Sequence, residues 1–147
     1  MGLTEDVGRG PVAFDTSALI YLIEDHARFA PLLAPLIEKA GAGDLELVTS
    51  AITLLEVLVL PYRAGDLALA SRYEALLTRS RELEMVPMDG TVLRGAAYLR
   101  AHYRVSMPDA VHLAAALTRR CTAFVTNDRE LPSVPGLRVV QLKDVQP

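Results

Sequence analysis

Val12-Ala13-Phe14-Asp15-Thr16-Ser17-Ala18-Leu19-Ile20-Tyr21-Leu22-Ile23 reads as a short buried strand, a tight turn and a helix. The apolar run stops at Asp15, and Thr16 and Ser17 carry hydroxyls suited to capping the helix that follows. That leaves Asp15 at the carboxyl end of a strand, free for another task. In isolation it would serve equally well as a turn or cap residue.

The same alternation repeats down the chain. A helix is expected from Ala27 to Ala40, with Pro31 in its first turn, a bend at Pro35, and Gly41 and Gly43 at its end. Leu45–Val48 reads as a strand. Thr49-Ser50 then caps a helix from Ala51 to Leu60, which Pro61 should terminate. Leu67–Arg81 reads as helix, Leu83–Val86 as strand, and Gly90–His102 and Ser106–Arg120 as helices. Ala123–Thr126 and Arg138–Leu142 read as the last two strands. Strands alternating with helices through short polar turns define an α/β fold with a mainly parallel sheet. Sites in such sheets form at the carboxyl ends of the strands, where the strand order reverses. Met1–Pro11 is expected to be a polar tail, with a single domain over 12–147.

Four carboxylates fall at that edge or in the helix that follows a strand: Asp15, Glu56, Asp109 and Asp128. Glu56 lies in Ile52-Thr53-Leu54-Leu55-Glu56-Val57-Leu58-Val59-Leu60. A helix this apolar should be buried on most sides, and an unpaired carboxylate there would cost several kcal/mol, of order ~2–7. Asp109 follows Ser106-Met107-Pro108, where an acid also favours the helix dipole and caps the first turn. Asp128 ends Phe124-Val125-Thr126-Asn127, with Thr126 and Asn127 placed to support a site through neutral hydrogen bonds. Acids gathered at one edge favour a divalent cation, and oxygen-only ligands suit Mg²⁺ or Mn²⁺. His26, His102 and His112 are dispersed, read as surface or interface residues, and form no zinc cluster.

Phe14-Asp15-Thr16-Ser17-Ala18-Leu19, Thr53-Leu54-Leu55-Glu56-Val57, Met107-Pro108-Asp109-Ala110-Val111-His112-Leu113-Ala114-Ala115-Ala116 and Phe124-Val125-Thr126-Asn127-Asp128-Arg129-Glu130-Leu131 together resemble the PIN domain family. Their order and spacing resemble in particular its VapC-like toxins. The resemblance implies a three-layer, Rossmann-like α/β/α sandwich and a metal-dependent ribonuclease. It implies Asp15, Asp109 and Asp128 as ligands of Mg²⁺ or Mn²⁺, Glu56 as the group that orients water or acts as base, and Thr16 or Ser17 with Asn127 as the hydroxyl–amide pair. It also implies a homodimer and a cognate antitoxin. A PIN nuclease of RNA processing, and a non-catalytic module with an acidic pocket, remain alternatives.

Composition sets the outer limits. Hydrophobic residues make up 51% of 147, enough for one core, and there is no Trp. The single Cys121 cannot form an internal disulfide and reads as a small buried hydrophobe in a cytoplasmic protein. Ile52–Leu60 is too short to span a bilayer, so no membrane partner is expected. The net charge of −3 excludes a strongly basic, non-specific nucleic-acid binder. The basic residues are almost all Arg, which suits phosphate contacts. Arg63, Arg119, Arg120 and Arg129 lie near the carboxylates in sequence. An aspartyl-nucleophile phosphatase needs a second Asp where Ser17 stands, and no phosphate-binding glycine loop is present. The leucines of Leu67–Leu77 and Pro31–Ile37 are expected to exceed the needs of one core and to favour self-association.

Overall fold

The computed structural model describes residues 2–146. Five strands, β1 (Val12–Phe14), β2 (Leu47–Ser50), β3 (Glu84–Val86), β4 (Ala123–Thr126) and β5 (Arg138–Gln141), form one sheet in the order β3-β2-β1-β4-β5. Every pairing between them is parallel. The chain steps outward from β1 to β2 and β3, then crosses back to place β4 on the other side of β1. The order therefore reverses between β1 and β4, which opens a crevice at their carboxyl ends.

The pleat sorts side chains onto two cores. Val12 and Phe14 of β1, with Ala123 and Val125 of β4, face a layer built by α1 (Leu3–Val7), α2 (Thr16–Ile23), α3 (Ala30–Gly41) and α5 (Leu67–Arg79). Ala13 and Phe124, between them in the sequence, face α6 (Gly90–His102) and α7 (Met107–Thr118). The α4 helix (Ile52–Ala64) adds Ile52 to one core and Val57 and Leu58 to the other. This is the three-layer α/β/α sandwich.

Several local expectations are corrected. The polar tail contains α1, whose Leu3 and Val7 are both 2% exposed and join the core. Their four-residue spacing puts them on one face of a helical turn. Pro61 does not end α4. It forfeits one hydrogen bond in the last turn, and the helix continues to Ala64, where left-handed Gly65 returns its N–H to the carbonyls of Pro61 and Tyr62. Nor is α4 buried on most sides: Leu55 and Leu60 are 64% and 66% exposed. The helix lies at the rim of the sandwich, and its excess apolar residues face outward. The expected surplus on α3 and α5 is instead largely consumed, since Leu33, Leu36, Tyr73 and Leu77 are buried. Among the described residues no helix is long and apolar enough to cross a membrane.

Candidate functional site

Asp15 follows the last residue of β1 and is itself the N-cap of α2, the role expected of Thr16 or Ser17. Its Oδ1 accepts the Ala18 N–H at 3.1 Å and the Ser17 hydroxyl at 2.7 Å. Its Oδ2 accepts the hydroxyl of Thr126 at the end of β4. The capping and site roles are thus joined in one side chain. The strand-to-helix turn aims one carboxylate oxygen at the α2 N-terminus and the other across the crevice.

Thr126 is fully buried, and its Oγ1 also accepts the Asp128 N–H at 2.9 Å. One hydroxyl thereby ties Asp15 to the backbone that carries Asp128. The Asp128 Oδ1 in turn accepts the Glu130 N–H at 2.9 Å. Asp109 stands in the first turn of α7, which Ser106 caps by accepting its N–H at 3.3 Å. The α7 helix runs away from this edge and β4 returns to it, so Asp109 and Asp128 meet despite their separation in sequence. Burial, followed by the Asp128 carboxylate beside it, pushes Asp109 up to about 6.

Glu56 occupies the other flank. Its Oε1 accepts the Thr16 hydroxyl at 2.5 Å and lies 2.9 Å from His112 Nε2. The His112 hydrogen bond holds Glu56 below the usual carboxylate range, against the upward pull of its burial, and Thr16 adds to the lowering. His112 is only 4% exposed, so the surface role expected for it is wrong. It lies three residues after Asp109 on the same face of α7, and that spacing is the signal that would have found it. His26 and His102 are exposed.

The supporting residues divide. Thr16 serves Glu56, Ser17 serves Asp15, and Thr126 joins Asp15 to Asp128. Asn127 faces away into the scaffold: its Nδ2 donates to the Tyr21 hydroxyl at 3.3 Å and its Oδ1 accepts the Lys143 N–H at 2.9 Å. Of the arginines singled out in the sequence, Arg119 and Arg120 lie at the far end of α7, on the opposite edge of the sheet. Arg119 pairs there with Glu84 at 2.5 Å. Arg129 is bound to Asp144 through two hydrogen bonds of 3.2 and 2.7 Å. Arg63 is exposed in the last turn of α4.

Among the described residues no three acidic, His or Cys side chains converge as a ready-made metal trio. What the structure brings together is the Asp109–Asp128 pair, with Asp15 one hydroxyl away. Two adjacent carboxyls, one of which holds a proton at unusually high pH, form a place where a divalent cation can take the proton's part. The donors are all oxygen, as Mg²⁺ and Mn²⁺ require. The residues therefore fit such an ion.

A parallel sheet with carboxylates gathered at its switch point defines an α/β domain with an acidic, oxygen-donor site. The chain belongs to the PIN domain family, whose model matches residues 12–137. No curated protein sequence matches it. Among solved structures it is similar to a chain of a toxin–antitoxin complex from Klebsiella pneumoniae, with a TM-score of 0.66, 22% identity, and coverage of 89% of this chain and 97% of that one. It is also similar to a chain of VapBC2 from Rickettsia felis bound to a promoter DNA fragment, with a TM-score of 0.64, 18% identity, and coverage of 88% and 98%. A chain of VapBC-5 from Mycobacterium tuberculosis gives 0.53, 23%, 89% and 98%. At these identities the likeness carries the fold.

Proposed function

We propose that the protein is a ribonuclease dependent on Mg²⁺ or Mn²⁺ and acts in the cytoplasm as the toxin of a VapBC-type pair. The observation that carries this reading is the meeting of Asp109 and Asp128 at the switch point, with Asp15 joined to them through Thr126.

Asp15, Asp109 and Asp128 would hold the ion. When bound, it would lower the pKa of a water and offset charge on the phosphodiester and its leaving oxygen. The chain's own residues prepare for this with neutral donors. Ser17 and Thr126 fix both oxygens of Asp15 without cancelling its charge. Glu56 keeps Oε2 free of protein donors among the described residues, so that this oxygen can orient a water or take its proton.

RNA as substrate is supported by charge placement. From Gly90 to Pro108 the chain carries Arg94, Arg100 and Arg104 and no acid, although it is net negative overall. All three are exposed, as are His102 and Tyr98, whose rings stack at 4.1 Å. This basic, aromatic stretch ends immediately before Asp109, and such surfaces suit a single strand. An antitoxin is supported by a cleft of about 360 Å³ between α2, α4 and α5. Ile20, Val57 and Leu69 give it an apolar floor, and Glu24, Glu56 and Asp66 an acidic rim. A basic amphipathic segment fits that chemistry. The resemblance to chains of toxin–antitoxin complexes agrees with it. The outward apolar residues of α4, Leu55, Val59, Leu60 and Tyr62, support self-association.

The test is cleavage of RNA with Mg²⁺ or Mn²⁺, with and without EDTA, beside Asp15→Asn. Asn also caps helices well, so the variant should stay folded. Cleavage should need the metal and vanish in the variant. Cleavage retained in EDTA or in Asp15→Asn would overturn the assignment.

A further inference from the structure

The flank that holds Glu56 contains a hydrogen-bond chain whose protons can be assigned one by one. Thr49 Oγ1 donates its proton to the Phe14 carbonyl at 2.9 Å. The contact between Thr53 Oγ1 and Thr49 Oγ1, also 2.9 Å, must therefore be donated by Thr53. Thr16 donates to Glu56 Oε1 at 2.5 Å. Its 3.4 Å contact with Thr53 then has no proton to share, because both hydroxyl protons are already committed. The remaining donor is His112 Nε2, 2.9 Å from Glu56 Oε1 and 3.2 Å from Thr16 Oγ1.

The other ring nitrogen makes no competing contact. Nδ1 of His112 is buried and has no hydrogen-bond partner. A ring that carries its proton on Nε2 satisfies Glu56 and needs nothing from the unpartnered Nδ1.

We infer that His112, donating from Nε2, is a positioning residue that works with Thr16 to pin one oxygen of Glu56 and turn the other toward the reacting phosphodiester. The inference rests on the nuclease reading above and deepens it. Both donors converge on Oε1, so rotation of the carboxylate is blocked and Oε2 is left as the working atom. His112 itself touches neither ion nor RNA in this role; it acts through Glu56. The buried Thr49–Thr53 pair makes no hydrogen bond to Thr16, but it ties α4, which carries Glu56, to the carbonyl of Phe14, one residue before Asp15. The two flanks of the site therefore share β1 as a common reference.

The test compares His112→Leu, His112→Gln and Glu56→Gln, with the His112 changes repeated in the Glu56→Gln background, on the full chain with Mn²⁺. Gln can present an N–H where His112 Nε2 stands, and Leu cannot. His112→Leu should lower kcat about tenfold or more, the effect of losing a hydrogen bond to a charged group. KM for RNA and Mn²⁺ affinity should stay within about twofold. His112→Gln should recover most of the loss. In the Glu56→Gln background His112→Leu should cost nothing further. Equal losses in the Leu and Gln variants, or losses that multiply in that background, would overturn the proposal even with all variants folded by thermal melt. Absence of metal-dependent cleavage in the unaltered protein would sink the nuclease reading instead. The donor geometry then stands or falls on ¹⁵N NMR of His112, where a ring with no proton on Nε2 refutes it.

Discussion

The two ends of the sheet treat acidic residues differently. At the amino end, Glu84 of β3 meets Arg119 at 2.5 Å, and Cys121 is buried with its thiol pushed up to about 12 by that burial. At the carboxyl end, Asp15, Glu56, Asp109 and Asp128 are supported by hydroxyls, backbone N–H groups, an imidazole and one another. Among the described residues no Lys or Arg pairs with any of these four. At the quiet, amino end Glu84 has its counter-charge within the chain. The other end keeps negative charge in place and leaves its neutralisation to something from outside.

The sharpest way to break this contrast is to neutralise one acid at each end. Asp128→Asn should reduce metal-dependent RNA cleavage on the order of 100-fold or more, the scale of losing one electrostatic group at a reacting centre. Glu84→Gln should leave cleavage unchanged within about twofold, because it lies on the edge remote from the site. Parallel initial-rate assays decide it. Comparable losses at the two ends would mean that charge at the carboxyl edge has no special part.

The hydroxyl between the two aspartates is next in size. Thr126→Val keeps the shape of a fully buried side chain but removes one donor to Asp15 and one acceptor for the Asp128 N–H. Leaving such groups unpaired should cost about 1–3 kcal/mol in urea unfolding. Activity should fall as well, since both carboxylates lose their common tether. A variant as stable as the parent would show that water replaces the hydroxyl freely and that the tether is dispensable.

This tether also marks the limit of what the sequence could disclose. Strand, turn and helix were legible around Asp15 because apolar runs end abruptly in hydroxyl and acidic residues. Asp109 and Asp128 were legible only as acids of the same edge, one opening a helix and the other ending a strand. Gly90–His102 and Ala123–Thr126 have the expected bounds for the same reason: both are strongly patterned and cleanly punctuated. Partnerships were less legible. Whether Thr16, Ser17 or Asp15 caps α2 depends on a few tenths of an ångström in a turn. The burial of His112 depends on how α7 meets α4, a contact between distant segments. Apolar content on α4 suggests burial, but Leu55 and Leu60 point outward, since hydropathy records chemistry and not direction.

A smaller effect separates the two flanks of the site by pH. The Asp109 carboxyl is raised to about 6 in the folded protein, so between its ordinary range and that value the folded state holds more proton than the unfolded. Its stabilising contribution is present at acidic pH and lost as pH rises through about 6. Glu56 is lowered, so its contribution is present above its ordinary 4.5 and lost only as pH falls below that range. From about 4.5 to 6 the Asp109 contribution therefore falls as pH rises, giving the metal-free protein a downward component in its melting temperature relative to Asp109→Asn. The variant should lack that component. Stabilisation by Mn²⁺ should grow over the same interval, because the ion binds the deprotonated carboxylates. A metal-free melting temperature that rises with pH across this window, in the parent but not the variant, would reverse the assignment.

The smallest expected effect is at the quiet end. Arg119 and Glu84 are 38% and 54% exposed, so their short contact is solvent-screened and should be worth only about 0–1 kcal/mol. A double-mutant cycle with Arg119→Gln and Glu84→Gln, read by urea unfolding at low and high salt, measures it. The coupling should shrink as salt rises. The pair then matters less for stability than for what it removes: a free arginine and a free carboxylate at an edge where neither has work to do. A coupling well above 1 kcal/mol that resists salt would instead make this end a structural clamp. The difference between the two ends would then be one of rigidity as much as of charge.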